Sequence, residues 1–151
     1  MRKRMLNINE VDVTAKPVVY TCYGLGSCIG LFVTDKPKGL SGGAHIPLPA
    51  STETDGFLGA SRLINELLQA FQQLGSDLSY LRAKITGGAQ VYDSLLNIGE
   101  KNIRAVLQQL IEKKIFIAAT DVGGRVSRTA RFNSVTGELC ISTSEQKTYC
   151  I

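Results

Sequence analysis

Cys28-Ile-Gly-Leu-Phe-Val-Thr34, Asp35-Lys-Pro-Lys-Gly39 and Ser41-Gly-Gly-Ala-His-Ile-Pro-Leu48 follow one another along the chain with only Leu40 intervening. The first run is β-prone, the second is a turn by composition, and the third reads as another strand. Strands joined by a turn are antiparallel neighbours. A cysteine and a histidine 17 residues apart can therefore meet side chain to side chain.

Outward from this unit, Val18–Cys22 is a further β-prone run that leads into Gly24-Leu-Gly-Ser-Cys-Ile-Gly30. Leu63, Ile64, Leu67, Leu68, Phe71 and Leu74 recur at helical spacing, and Gly75 is placed to stop that helix. Ile103, Val106, Leu107, Leu110 and Ile111 predict a second helix, with Lys113 and Lys114 favourable at its C-terminal end. Strands are expected at Leu81–Thr86 and Ile115–Thr120. A hairpin of Val126–Phe132 and Glu138–Ser142 around Asn133-Ser-Val-Thr-Gly137 closes the chain. The pattern is α/β with much antiparallel pairing, not a strict alternation of strand and helix. No repeat or linker interrupts it, so residues 1–151 are expected to form one domain.

Composition narrows the function classes. With 44% hydrophobic and 20% charged residues the chain reads as a soluble globular protein. No apolar run approaches the roughly 18 residues of a membrane span. The basic start, Arg2-Lys3-Arg4, has no apolar segment behind it, so no secretory signal and no membrane insertion are expected, and the location is expected to be cytoplasmic. The net charge of +4 is spread along the chain, without the basic stripe and interleaved aromatics of a nucleic-acid binder. The N-terminal cluster is expected to be a solvated terminus. Cys22, Cys28, Cys140 and Cys150 are expected to be reduced thiols. They lack Cys-x2-Cys spacing and the chain has one histidine, so no metal site and no cofactor are expected.

The glycine-rich run around Cys28 is neither a dinucleotide fingerprint nor a P-loop. Its third glycine is late, a strand follows it, and no Gly-Lys-Ser/Thr ending is present. Glycines here allow close backbone approach and leave N–H groups beside a thiol, as acyl transfer needs for its oxyanion. His45 sits in a second glycine-flanked run, Gly42-Gly-Ala-His-Ile-Pro-Leu-Pro49. A free thiol is mostly protonated at neutral pH, and a neighbouring imidazole can take its proton and hold the ion pair. Cys28 is thus the expected nucleophile and His45 its acid/base. Gly26, Ser27 and Gly43 are the candidate oxyanion and loop residues. Thr86-Gly-Gly-Ala-Gln90 and Asp121-Val-Gly-Gly-Arg125 each follow a strand and can line the same region.

These pieces resemble the chemoreceptor glutamine deamidases of bacterial chemotaxis, the CheD family. The resemblance is carried by Gly24-Leu-Gly-Ser-Cys28, Gly43-Ala-His-Ile-Pro-Leu-Pro49, Gly87-Gly-Ala89, Ile98-Gly-Glu-Lys-Asn102, and Asp121-Val-Gly-Gly124 with Arg128 and Thr136-Gly137, in that order. It implies hydrolysis of glutamine side chains to glutamate in methyl-accepting chemotaxis receptors, through a Cys28 thioester with His45 as acid/base. It implies a β-sandwich flanked by two main helices, similar to the deamidating domain of cytotoxic necrotizing toxins, and, in some bacteria, control by the phosphatase CheC. The family commonly has a threonine six residues before the nucleophile. That position is Cys22 here, which makes Cys22 a candidate third member of the site. Two rival readings are a transglutaminase or small peptidase using the same pair, and a non-enzymatic adaptor that binds CheC or receptor helices.

Overall fold

The computed structural model describes residues 1–49, 55–93 and 95–151. In chain order its strands are β1 Arg2–Met5, β2 Val11–Thr14, β3 Val18–Leu25, β4 Ile29–Asp35, β5 Leu40–Ile46, β6 Leu81–Gly87, β7 Phe116–Val122, β8 Arg128–Asn133, β9 Leu139–Thr143 and β10 Thr148–Cys150. Helix α1 is Ala60–Gln73 and α2 is Ile98–Glu112. The strands form two five-stranded sheets, ordered β1-β3-β8-β9-β10 and β2-β5-β4-β6-β7. Pairing is antiparallel except for β1 with β3 and β6 with β7. This is the expected mixed, largely antiparallel α/β fold.

Side-chain alternation along β4 explains the layering, because successive residues of a strand point to opposite faces. Ile29, Leu31 and Val33 belong to one core, shared with the buried stripe of α1 (Leu63, Ile64, Leu67, Phe71) and with Val106 and Leu110 of α2. Phe32 belongs to the other core, between the sheets, with Tyr20, Cys22, Ala130, Phe132 and Ile141. Phe32 and Phe132 stack across it with ring centroids 5.4 Å apart. Each apolar stripe thus faces one layer only, giving sheet, sheet and helices in that order.

Both helices end in the same way. After α1, Gly75 takes a positive φ of 96° and donates to Gln72, while Ser76 donates back to Phe71. After α2, Lys114 (φ 57°) donates to Ile111 and Ile115 donates to Leu110. These crossed bonds satisfy carbonyls the helix would otherwise leave unpaired. Gly75 supplies the turn as its sequence position suggests, and Lys114 adopts the same conformation without being glycine.

Several expectations are corrected. Arg2-Lys3-Arg4 is largely exposed, as a solvated cluster is, but it is ordered in β1, with Arg2 and Arg4 paired to Asp12 and Glu10. Helix α2 starts at Ile98, earlier than the apolar periodicity indicates, because its first turn is mostly polar and glycine. Ile111 is exposed and Leu107 only half-buried, so Val106 and Leu110 carry that helix's packing. Cys140 and Cys150 are not reduced: they face each other across the β9–β10 ladder and are joined as a disulfide. Cys22 and Cys28 are free.

Candidate active site

Strand β3 loses its register with β8 between Cys22 and Leu25, and β4 begins at Ile29. Residues 26–28 are the short connection between them. Glycine contacts hold this loop from beneath. The Gly88 N–H donates to the Cys28 carbonyl (2.9 Å) and the Ala89 N–H to that of Gly26 (2.8 Å). Gly87 has φ +109°, and a Cβ there would strike the Cys28 carbonyl oxygen. The first turn of α2 presses on the other side, where a Cβ on Gly99 would lie 2.5 Å from the Ala89 carbonyl oxygen. Three segments therefore stack at backbone distance: the Cys28 loop, the Gly87–Ala89 turn and the start of α2.

A buried cation braces the stack. Arg128 pairs with Asp121 (3.2 Å) and donates to the Gly123 carbonyl (2.9 Å). The turn that it fixes is bonded to the Gly87–Gln90 segment, through Gly123 N–H to Gly87 and Gln90 N–H to Gly124. Tyr149 donates a second bond to Asp121 (2.6 Å).

His45 lies opposite Gly30 in the β4–β5 ladder. Period-two alternation puts Gly30 and Phe32 on one face of β4, His45 faces that side from β5, and Cys28, just ahead of the strand, packs against the same core as Phe32. Its Nδ1 is 2.9 Å from the Leu6 carbonyl oxygen, an acceptor only, so Nδ1 carries the proton. That leaves Nε2 with its lone pair, and Nε2 is buried with no hydrogen-bond partner. Cys22 points inward from β3 into the same core, fully buried.

Burial dominates the electrostatics. It lowers the His45 pKa from its ordinary value, against smaller opposing effects of the Leu6 hydrogen bond and Glu10. It raises the Cys28 thiol, and raises Cys22 further, where Cys28 adds to the effect. For both groups burial works against the charged form, thiolate for Cys28 and imidazolium for His45.

Cys28 lines an open cleft of ≈ 570 Å³ with Gly24, Gly26, Ser27, Gln90 and Asn97. His45 borders a neighbouring cleft of ≈ 380 Å³ with Leu6, Asn7 and Tyr23, and Gly24 lines both. Gly26 and Ser27 line the Cys28 cleft. Gly43 does not line it; it sits inside β5, hydrogen-bonded sheet on both sides, where a Cβ would crowd Leu6 and Phe32. Among the described residues no three His, Cys, Asp or Glu side chains converge as a metal-binding group.

A further buried side chain reaches the Cys28 loop. Asn102, fully buried on α2, donates from Nδ2 to the carbonyls of Ser27 (2.7 Å) and Pro47 (3.0 Å). Its position among Gly99, Val106 and Leu110, at helical spacing, is the signal: an asparagine in the buried stripe of an amphipathic helix needs partners.

The family model described as CheD chemotactic sensory transduction matches residues 48–143, a span that begins after His45. The chain is 35% identical to the probable chemoreceptor glutamine deamidase CheD of Geobacillus kaustophilus, over 94% of this chain and 93% of that protein. It is 35% identical to the chemoreceptor glutamine deamidase CheD of Halalkalibacterium halodurans, over 91% of each. With the protein of the same name from Thermotoga maritima it shares 33% identity, over 92% of this chain and 90% of the other. Among solved structures, the Bacillus licheniformis hypothetical protein YfiH matches with a TM-score of 0.53 at 14% identity, over 74% of this chain and 50% of that one, a likeness of fold.

Proposed function

The chain belongs to the CheD family, and from that premise we propose that it hydrolyses glutamine side chains of methyl-accepting chemotaxis receptors to glutamate, with Cys28 as nucleophile and His45 as acid/base. The observation that carries the residue assignment is the state of His45: Nδ1 is engaged by Leu6, Nε2 is buried and unpartnered, and the ladder partner of His45, Gly30, lies two residues from Cys28. A buried base atom without a partner costs stability in a resting protein, and a proton delivered during reaction satisfies it.

In this reading the Cys28 sulfur attacks the carboxamide carbon as its proton passes to Nε2. Because burial works against both charged forms, transfer accompanies attack instead of preceding it. The negative charge develops on the carboxamide oxygen. The Gly26 and Ser27 carbonyls are turned toward Ala89 and Asn102. In a trans peptide the N–H points opposite to the carbonyl, so the Ser27 and Cys28 N–H groups face away from those partners and are the donors for the oxyanion. The imidazolium then protonates departing ammonia. Water, deprotonated by the neutral ring, hydrolyses the thioester to glutamate and free thiol. Ammonia and water are the only species exchanged.

The reading also places the protein in the cytoplasm, with the CheC control that the family shows in some bacteria left as a separate question of partner; among the described residues no helix is long and apolar enough to cross a membrane. The test is incubation with receptor cytoplasmic domains, followed by peptide mass analysis and ammonia detection. A gain of about one dalton at particular glutamines, absent with Cys28→Ala, supports the reading. Intact glutamines, amine-linked products or peptide cleavage would overturn it.

A further inference from the structure

We propose that Asn102 is a positioning residue for this chemistry: its amide sets the plane of the Ser27–Cys28 peptide and ties that peptide to the strand end beyond His45. The inference rests on the reading of Cys28 and His45 given above. Asn102 makes its hydrogen bonds to backbone carbonyls and not to either side chain. One N–H of its Nδ2 donates to the carbonyl of Ser27, the residue before the nucleophile, and the other to the carbonyl of Pro47, two residues past the base. A single planar amide thus spans the two segments that carry the pair.

The consequence follows from peptide geometry. Holding the Ser27 carbonyl toward α2 directs the Cys28 N–H the other way, because the two groups of one peptide are antiparallel and coplanar. The Gly88 N–H fixes the following peptide through the Cys28 carbonyl. The N–H that would stabilise the oxyanion is therefore aimed by Asn102 before substrate arrives. Its own Oδ1 is buried without a partner. The side chain is oriented by its two donors alone, since both groups facing Nδ2 are carbonyls and a flipped amide would set oxygen against oxygen. Helix α2 holds it in place: the close approach at Gly99, one turn earlier, brings the helix down onto the Gly87–Ala89 turn.

Substituting Asn102 should impair acyl transfer more than it impairs exposure of the thiol. Alkylation by iodoacetamide displaces a halide at carbon and forms no oxyanion. Acylation by p-nitrophenyl acetate passes through one. The experiment compares these two reactions of Cys28, together with receptor deamidation, in wild type, Asn102→Leu and Asn102→Ser, with melting curves for all. Asn102→Leu is of similar volume and has no donors. It should lower acylation rate and deamidation kcat by about a hundredfold, the scale for misplacing reacting groups by an ångström. KM and alkylation should stay within about twofold of wild type. Asn102→Ser, keeping one donor, should fall between. Should Asn102→Leu fail to fold, Asn102→Ser alone carries the comparison, and an unchanged ratio of acylation to alkylation overturns the proposal. So does folded Asn102→Leu with near-normal kcat, or with acylation and alkylation falling together. If wild type acylates in an Asn102-dependent way yet leaves receptor glutamines intact, the positioning role stands and the deamidase reading falls.

Discussion

Gly30 faces His45 across the β4–β5 ladder, so the position between the imidazole and Cys28 on that face of β4 carries no side chain. A Cβ at Gly30 would lie 3.2 Å from Phe32 and 3.3 Å from Leu25. The diagonal from His45 to Cys28, two residues before Gly30 and just ahead of β4, is the kind of offset that long side chains bridge across a sheet. The imidazole is such a side chain, and its buried Nε2 has no hydrogen-bond partner at rest.

Removing the imidazole should therefore cost chemistry more than binding. His45→Ala is expected to lower kcat at least about a hundredfold, the low end for a positioned acid–base group, with a smaller effect on KM. Steady-state kinetics on a receptor fragment measures this. A His45→Ala enzyme within tenfold of wild type would remove His45 from the mechanism.

Gly87→Ala tests the support beneath the nucleophile. The residue has φ +109°, unfavourable for any side chain, and its new Cβ would meet the Cys28 carbonyl. Backbone must shift in the Cys28 loop itself. The expected result is a loss of at least about 1–3 kcal/mol in denaturant unfolding together with near-complete loss of activity. Full activity in this variant would mean that the loop does not depend on its contact with Gly87.

The pH dependence follows from burial of His45. Its folded pKa is depressed, so the free base persists below the usual imidazole range. The acid limb of kcat/KM should have its midpoint below about 6.5. Stability moves with the same group. The unfolded chain binds the proton first, so the contribution of His45 is fully present above about pH 6.5 and is lost as pH falls toward the folded pKa. As the one histidine, it should leave a flatter stability profile between pH 7 and 5 when replaced by alanine. An acid limb above 6.5, or an unchanged profile in His45→Ala, would contradict this.

The disulfide should matter to the C-terminal strand and little to the site. Cys140 and Cys150 are ten residues apart and clip β10 onto β9, beside the bonds between Leu139 and Ile151. A loop this short restricts the unfolded chain by about 2–3 kcal/mol in the chain-entropy treatment. Dithiothreitol, or Cys150→Ser, should lower the melting temperature by several degrees while deamidation stays near the wild-type rate. Loss of activity in proportion to reduction would show that Tyr149, through Asp121 and Arg128, transmits the state of β10 to the site.

The elements around the site are legible because local rules and packing agree there. Strand, turn and strand are read to within two residues of β4 and β5, and the α1 stripe from Leu63 to Phe71 is buried as read, whereas Leu74 lies past the helix end and is exposed. The missed elements depend on partners distant in sequence. Arg2–Met5 has no apolar periodicity and is a strand because β3 offers it an edge. Thr148–Cys150 is held by β9 and a disulfide. Within the site, residue types suggested Cys28 and His45, but no spacing rule shows that burial works against the charged form of each. Gly43 looked like a loop glycine beside His45, yet its role is to make room for Leu6 and Phe32. Asn102 required knowing which face of α2 is buried and which carbonyls wait there.

The last expectation separates general-base catalysis from a standing ion pair. Cysteine reacts with iodoacetamide as thiolate, and a preformed thiolate–imidazolium pair gives rapid labelling at neutral pH that collapses when the histidine is removed. Here burial raises the Cys28 thiol and lowers His45, so little thiolate exists at pH 7 with or without the imidazole. Labelling of Cys28 should be slow at pH 7 and should rise with a midpoint above the ordinary thiol range. It should differ by less than about threefold between wild type and His45→Ala, although deamidation differs by a hundredfold or more. Cys22, fully buried and shifted further upward, should stay unlabelled in the native protein and react after unfolding. Peptide mapping of timed alkylation in the two proteins distinguishes the sulfurs and gives both rates. Fast labelling of wild-type Cys28 at pH 7, reduced tenfold or more by His45→Ala, would establish the ion pair and reject concerted proton transfer.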